Sequence, residues 1–360
     1  MTPSPTDSAA LHDPSAYHFG SDNYAGAHPQ VLAALAQANG GHVPGYGADP
    51  YTERLDEVVR ELFGERAEVY PVFNGTGANV VALQALTPRW GGVFTAASAH
   101  INTDEQAAPE RLAGLKILSA STDDGRLTPE QVARAATATA PDDPHRAYPH
   151  VLSFSNSTEF GTVYSLQQTR ELVASAREQG MRVHLDGSRL ANAAAATGAT
   201  LAQLSEGVDV ISLGGTKIGG MIAEAIVVRE PESVHGIEII RKFSMQLASK
   251  QRFIAAQLLA LYEGDLWLEN ARHANAQAQH LAARLRETQG CEVPLPVEAN
   301  AVFAKLPPGV ADAVRARGIS FYDWPAFPGV VRLMTAWDTP DQAIDRLIRE
   351  IERAVATQRL

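Results

Sequence analysis

Cysteine is almost missing from this sequence. Cys291 is the only one among 360 residues, so the chain forms no internal disulfide and builds no thiolate zinc site. The eleven histidines are scattered, and the sequence has no His-Glu-x-x-His motif. Because a catalytic zinc needs clustered nitrogen or carboxylate ligands, we predict no metal site.

An excess of positive charge is also lacking. Thirty Lys and Arg residues stand against 41 Asp and Glu residues, which gives a formal net charge of −11, and no run is rich in Lys or Arg. Binding of nucleic acid depends on cations that neutralise phosphates. We therefore predict no nucleic-acid partner.

Long apolar runs are absent as well. No stretch approaches the roughly 20 residues that a membrane-spanning helix needs, so we predict no membrane partner. The N-terminus has no basic start followed by an apolar core, unlike a secretory signal. Its Pro, Ser, Thr and Asp residues predict a disordered lead-in over residues 1–16, and cytoplasmic localisation is the resulting expectation.

Short apolar, β-branched runs alternate with helical stretches through the first two thirds of the chain. This alternation predicts an α/β protein whose mostly parallel sheet is covered by helices on both faces. The predicted strands are 151–154, 182–185, 208–213 and 225–228, and the predicted helices between them are 165–179 and 188–197.

The pattern changes from about residue 251. Two long helices are followed by strand–helix–strand–helix, which predicts a small C-terminal α+β domain. The predicted elements are helices 251–263 and 266–288, strand 301–306, helix 311–317, strand 330–336 and helix 340–357. We therefore predict three parts: the lead-in 1–16, a large domain 17–264 and a small domain 265–360.

A glycine-containing turn follows the first apolar strand. The strand runs into Asn74-Gly75-Thr76-Gly77, and a helix is predicted over 78–86. Glycines let the backbone approach a ligand, and the free amides at a helix start attract an anion. Val80 stands where a dinucleotide-binding motif has its third glycine, so we predict a phosphate-binding turn of another kind. A plain strand-to-helix turn is the alternative.

Four chemically useful side chains also follow predicted strands. Asp186 could hold a proton on a heteroaromatic nitrogen or merely cap the next helix. Arg189, three residues on, could pair with Asp186 or bind an anionic substrate. Lys217 lies among four glycines, where loss of water favours the neutral amine that Schiff-base chemistry needs. His100 could stack on a flat cofactor or be an ordinary core histidine.

The combination is more specific than its parts. A phosphate-binding turn, a ring-stacking histidine, a carboxylate for a ring nitrogen and an amine are what a phosphorylated pyridine aldehyde requires. The sequence therefore predicts pyridoxal 5′-phosphate as the cofactor.

These residues lie in segments that resemble the threonine aldolase branch of the pyridoxal-phosphate enzymes with the aspartate aminotransferase fold, also termed fold type I. Segments 184–192 and 214–220 carry the resemblance most specifically. The other matching segments are 21–23, 46–50, 74–79, 99–100, 158–164, 241–242, 249–250 and 332–339.

The resemblance implies roles for the cofactor site. Lys217 would bind the cofactor aldehyde, Asp186 would keep the pyridine nitrogen protonated, and His100 would stack on the ring. The resemblance also implies that Gly75, Thr76 and Gly77 bind the cofactor phosphate. Arg189 and Lys250 are two further implied cofactor contacts.

It also implies a substrate site and an assembly. Ser21, Arg189 and Arg332 would hold the substrate carboxylate, and Tyr46 would lie near the substrate. Lys242 or Lys250 would reach the phosphate of a neighbouring subunit. We therefore expect a homodimer or homotetramer with shared active sites.

The implied reaction is retro-aldol cleavage of L-β-hydroxy-α-amino acids, such as L-threonine, L-allo-threonine and phenylserine-like substrates, to glycine and an aldehyde. His100, or a water it orients, is the expected base for the β-hydroxyl, and Glu105 is a weaker candidate. Two alternatives stay open. One is a β-eliminating lyase of aromatic amino acids, and the other is a catalytically silent binding protein on the same fold.

Overall fold

A computed structural model describes residues 11–325 and 327–357 of the chain. Residues 1–10 of the predicted lead-in lie outside the described part, and residues 11–16 form turns without helix or strand. None of the helices in the described part is both long enough and apolar enough to cross a membrane.

A seven-stranded sheet is the centre of the molecule. Its strand order is β1-β7-β6-β5-β4-β2-β3, and β7 runs against the other six strands. The predicted mostly parallel sheet is therefore confirmed. The strands are β1 (Glu68–Val72), β2 (Gly92–Ala96), β3 (Lys116–Ala120), β4 (Pro149–Ser155), β5 (Arg182–Gly187), β6 (Val210–Gly214) and β7 (Glu224–Val228).

Helices cover this sheet, and most of its central strand residues are buried. Every residue of β2, β6 and β7 is buried, as expected of strands covered on both faces. The helices are α1 (Pro29–Ala38), α2 (Pro50–Phe63), α3 (Gly75–Leu86), α4 (His100–Thr103), α5 (Ala108–Leu112), α6 (Pro129–Thr137), α7 (Leu166–Glu178), α8 (Leu190–Thr197), α9 (Leu201–Leu204), α10 (Ile237–Phe243) and α11 (Arg252–Tyr262).

Local signals explain where several helices begin and end. Ser165 and Gln168 form a capping box at the start of α7, and α8 ends at Gly198, whose φ of +70° is in the left-handed region. Several predicted boundaries differ from the observed ones by one to three residues, and the largest difference is at α3. The helix expected from residue 78 begins at Gly75, because Asn74 caps it.

The C-terminal part forms a second, smaller core. Its elements are α12 (Leu266–Glu287), β8 (Ala301–Lys305), α13 (Val310–Arg315), β9 (Tyr322–Asp323), β10 (Val330–Met334) and α14 (Asp341–Thr357). The three strands form an antiparallel sheet in the order β8-β10-β9. This agrees with the predicted α+β character of the segment.

Two segments link the cores. The start of α12 packs in the large core through Leu266 and Trp267, whereas Leu281 and Leu285 of the same helix pack in the small core. Phe19 also packs in the small core, and its carbonyl accepts a hydrogen bond from the Met334 amide at 2.8 Å. The domain boundary at 264/265 stays a prediction.

Parallel strand direction brings the candidate site together. β1, β2, β4, β5 and β6 all point the same way, so the segments that follow them meet at one edge of the sheet. Those segments carry the glycine turn, His100, Glu159, Asp186 and Lys217.

Candidate active site

The glycine turn is the start of a genuine helix. The Asn74 side chain accepts a hydrogen bond from the Gly77 amide at 2.7 Å, and α3 begins at Gly75. The first amides of a helix have no carbonyl partner within it, so they point at whatever lies in front. An anion such as phosphate fits this position.

Gln246 lies against this turn, a contact that the sequence did not reveal. Its amide oxygen accepts the Phe73 amide at 3.1 Å. A Cβ atom at Gly77 would lie 2.3 Å from the Gln246 Cδ atom, whereas a Cβ atom at Gly75 would meet nothing within 4 Å. A side chain at position 77 would therefore displace the end of the Gln246 side chain.

The lysine loop is held by close backbone contacts. Lys217 lies in a 3-10 turn (Thr216–Ile218) between β6 and β7. A Cβ atom at Gly214 would lie 2.3 Å from the Ser188 carbonyl oxygen, and one at Gly215 would lie 2.4 Å from the Ala223 carbonyl oxygen. The glycines thus let this loop pack against its neighbours and fix the position of the lysine.

Lys217 is partly buried and lies near several charged groups. The Glu224 carboxylate fixes its loop by accepting the amides of Gly215 and Thr216, each at 3.2 Å. Burial lowers the pKa of Lys217, and the positive charge of Arg189 lowers it further. A lowered pKa favours the neutral amine that attacks a carbonyl carbon.

Asp186 lies at the end of β5 and is hydrogen-bonded at both oxygens. One accepts the Ser188 amide and the other accepts the Asn79 side-chain amide, both at 3.0 Å. Burial alone would raise its pKa, but the positive charges of Lys217 and His100 hold it below the usual value. Arg189, not Asp186, is the N-cap residue of α8, so the capping interpretation of Asp186 is wrong.

His100 opens α4 with one ring edge buried. Its Nδ1 atom lies 2.8 Å from Glu105 Oε1, while 42% of the histidine side chain is exposed. The hydrogen bond with Glu105 raises the pKa of His100. Glu105 has no exposed side-chain surface, so it is placed to orient His100 and not to reach a substrate.

Arg189 pairs with Asp22 and not with Asp186. Its Nε and Nη2 atoms donate to the two Asp22 carboxylate oxygens at 2.7 and 2.9 Å. Asn300 also donates to Asp22, at 3.0 Å. Burial opposes ionisation of Asp22, but Arg189 holds its pKa well below the usual range. The pair is therefore charged.

Arg332 has fewer hydrogen-bond partners than Arg189 and no salt bridge in the described part of the chain. Its Nη2 atom donates to the Gly20 carbonyl at 3.3 Å, and its guanidinium lies over the Trp324 ring, 5.2 Å from the centroid. Its Nε atom is buried without a hydrogen-bond partner in the part of the chain that the structure describes. An anion would satisfy this atom.

The other predicted site residues lie apart or have local roles. The Ser21 hydroxyl accepts the Asn23 amide at 3.2 Å and so starts the turn that carries Asp22. Tyr46 is 57% exposed, and the Lys242 Nζ atom lies 5.0 Å from its ring centroid. Lys250 is exposed as well. These last three residues are on the surface.

Sequence reasoning overlooked several of the residues that build the site: Asp22, Asn79, Glu159, Glu224, Gln246 and Asn300. Asn79 did carry a signal, because it is a polar residue in a helix whose other buried residues are apolar or glycine. Glu224 is near Lys217 in the sequence, whereas the other four come from distant segments whose contact depends on the fold. Among residues 11–325 and 327–357, no group of three or more His, Cys, Asp and Glu side chains could hold a metal ion.

The chain has close relatives of known name. It is 40% identical to a low specificity L-threonine aldolase of Pseudomonas aeruginosa, over 92% of this chain and 96% of that protein. It is 38% identical to a low specificity L-threonine aldolase of a Pseudomonas species, over 94% of this chain and 97% of that protein.

Solved structures give the same relationship. The threonine aldolase of Leishmania major superposes with a TM-score of 0.88 at 29% identity, covering 94% of this chain and all of that one. The predicted aspartate aminotransferase-like fold is confirmed. The family model for beta-eliminating lyases matches residues 18–307, and the chain belongs to the beta-eliminating lyase family.

Proposed function

We propose that this protein cleaves L-β-hydroxy-α-amino acids to glycine and an aldehyde, using pyridoxal 5′-phosphate bound at Lys217. The observation that carries the proposal is the partly buried Lys217 amine, whose pKa is lowered by desolvation. It shares one sheet edge with Asp186 and interacts with Arg189, and Arg332 in turn lies near Arg189. The named aldolase relatives support the reaction class.

The residues present fit this cofactor. The first turn of α3 offers amides to a phosphate, Asp186 offers a charged carboxylate to a protonated ring nitrogen, and Lys217 offers an amine of lowered pKa. His100 presents a partly exposed ring beside them. When bound, the cofactor supplies an electron sink for the bond that breaks at Cα.

The chain's own contribution starts with the substrate carboxylate. Arg332 has a buried Nε atom without a partner in the described part of the chain, so its planar fork is free to hold a carboxylate. Arg189 adds a second cation whose charge Asp22 neutralises. Holding the carboxylate fixes the torsion about Cα, which determines the bond that aligns for cleavage.

His100 supplies the base for the β-hydroxyl. If its Nδ1–H donates to Glu105, as the 2.8 Å contact permits, the Nε2 atom carries the lone pair. That atom then accepts the hydroxyl proton directly or through a water molecule. His100, oriented by Glu105, then returns the proton to Cα, which completes glycine.

Mapping the cofactor attachment tests the proposal. The holoenzyme is reduced with borohydride and digested, and the peptides are weighed by mass spectrometry. We expect the pyridoxyl mass on the peptide that contains Lys217. A colourless protein without that adduct after addition of cofactor would support the silent-binding alternative.

A β-eliminating lyase of aromatic amino acids is the second candidate, because the family description names β-elimination, although it specifies no substrate. The two reactions differ in products. Elimination releases ammonia and a keto acid, whereas aldol cleavage releases glycine.

We also propose an oligomer with shared active sites, a dimer or a tetramer of dimers. Large apolar side chains are exposed on and just after α10, at Ile239, Phe243 and Met245, on the same surface as Lys242 and Tyr46. Exposed apolar patches mark association surfaces. A fully active monomer in sedimentation would contradict this proposal.

Cytoplasmic localisation stays a prediction.

A further inference from the structure

One side-chain amide connects the two ends of the candidate site. The Asn79 Nδ2 atom donates to Asp186 Oδ2 at 3.0 Å and to Glu105 Oε1 at 2.9 Å. Glu105 Oε1 is in turn 2.8 Å from His100 Nδ1. A single NH₂ group therefore holds the carboxylate expected at the cofactor ring and the carboxylate that orients the histidine.

The environment of Asn79 argues against a role in packing alone. Asn79 is 2% exposed, and its Oδ1 atom is buried without a hydrogen-bond partner in the described part of the chain. Glu105 Oε2 is in the same condition. A residue chosen for packing alone would leave no such unsatisfied atoms, so the contacts that Asn79 makes to the two carboxylates are the reason for an amide at this position.

The two carboxylates are close neighbours, because both oxygens lie within 3.0 Å of one nitrogen. Like charges this close raise each other's proton affinity unless donors satisfy them. The two amide hydrogens of Asn79 supply one donor to each. Without them, Glu105 Oε1 would have His100 as its remaining side-chain partner and would attract the proton on that ring more strongly.

We propose that Asn79 is a positioning residue that holds the Asp186 and Glu105 carboxylates side by side and couples the basicity of His100 to this amide, because the hydrogen bond that Glu105 accepts from Asn79 weakens its attraction for the proton on His100. The consequence for turnover rests on the proposed function. The consequence for the titration of His100 does not, since it concerns contacts within the chain.

Four charged groups face His100 from separate elements. Glu105 contacts its ring from beyond the end of α4, and Asp186 acts from β5. Lys217 acts from the turn after β6 and opposes both carboxylates. The Glu159 carboxylate, from the loop after β4, accepts the His100 backbone amide at 3.0 Å.

Opposite shifts in two single variants test the coupling. In Asn79→Ala, Glu105 loses a donor and binds the protonated His100 ring more strongly. The pKa of His100 should therefore rise by about one unit. In Glu105→Gln, the charged partner of the ring is lost, so the pKa of His100 should fall by about one unit. In the double variant position 105 carries no charge, so the rise caused by Asn79→Ala should disappear.

The titration is read from the full chain without cofactor by histidine-selective ¹⁵N spectra, with the His100 signal assigned from its loss in His100→Gln. Asn79→Ser provides one donor instead of two, and it should give an intermediate shift if Asn79→Ala does not fold. Gln84→Ala is the matched control, because it removes an amide from the same helix and should leave the titration unchanged.

The acid limb of kcat/KM for L-phenylserine should follow the same pattern in the holoenzymes. Equal or same-direction shifts in Asn79→Ala and Glu105→Gln would overturn the coupling. So would a double variant that keeps the full upward shift. The expected ¹⁵N shifts in an enzyme that forms no glycine would instead uphold the coupling and contradict the proposed function.

Discussion

The guanidinium of Arg189 donates two hydrogen bonds, at 2.7 and 2.9 Å, to the carboxylate of Asp22. The two residues are 167 positions apart in the sequence. The pair places the N-terminal turn against the start of α8, and Asn300 joins it to the loop before β8. Because Asp22 neutralises Arg189, Arg332 is left as the principal cation for a substrate carboxylate.

Removing the Asp22 charge should destabilise the fold. Asp22→Asn leaves Arg189, whose side chain is 16% exposed, without its ion-pair partner. Breaking such a pair costs roughly 3 kcal/mol of unfolding free energy. Urea unfolding followed by circular dichroism measures the loss. Asn23→Ala, which changes the exposed neighbour, is the control, and an equal effect of both variants would contradict the assigned role.

Arg332→Lys should chiefly impair binding of the amino acid. The lysine keeps the charge but loses the planar fork, so KM should rise about tenfold, equivalent to about 1.4 kcal/mol. Arg332→Ala should raise KM further and lower kcat, since the substrate is no longer oriented. Steady-state kinetics with L-threonine check both. Wild-type KM in Arg332→Ala would remove this residue from the carboxylate site.

Packing at the glycine turn should control cofactor affinity. In Gly77→Ala the new methyl group meets Gln246, and overpacking of this kind costs about 1–3 kcal/mol, so affinity for pyridoxal phosphate should fall about tenfold or more. Gln246→Ala in the same chain should restore part of the loss. Equilibrium titration by absorbance measures it.

Gly75→Ala is the matched control for that series, because its new methyl group would meet no atom of the described chain within 4 Å. It should bind cofactor more tightly than Gly77→Ala. The reverse order would show that steric contact with Gln246 is not the cause.

Much of the fold follows from the sequence because its elements carry strong local signals. Predicted helix 165–179 is observed as α7 with its two capping residues, and predicted helix 266–288 is observed as α12. β3 was not predicted, because it is a partly exposed edge strand without an apolar run. Its position depends on pairing with β2.

The site was less accessible to sequence reasoning than the fold. Asp186 and Lys217 stand at strand ends, where a local pattern indicates function. The partner of Arg189 could not be read in the same way, because Asp22 lies far away along the chain and only the folded structure brings it close. Gln246 is a similar case, since nothing in its own segment indicates the glycine turn.

Acid should destabilise the protein through a buried histidine. His184 lies between the hydroxyls of Ser153 and Ser212, and burial lowers its pKa to about 4. The native state therefore binds fewer protons than the unfolded state between about pH 6.5 and pH 4, and stability falls as the pH is lowered through that range. The full effect is about 3 kcal/mol.

His184→Gln isolates this contribution. The variant should be less stable than the parent at pH 7.5, because the hydrogen bonds to both serines are disturbed. The difference in Tm should shrink as the pH falls toward 4.5. A constant difference over this range would mean that His184 is not a neutral buried group.

Product analysis of the holoenzyme with L-phenylserine tests the central claim most directly. Glycine and benzaldehyde, measured together over the course of the reaction, should appear in equal amounts, and Lys217→Ala should lower their rate by about a thousandfold or more. Release of ammonia and a keto acid without glycine would contradict aldol cleavage as the function of this chain.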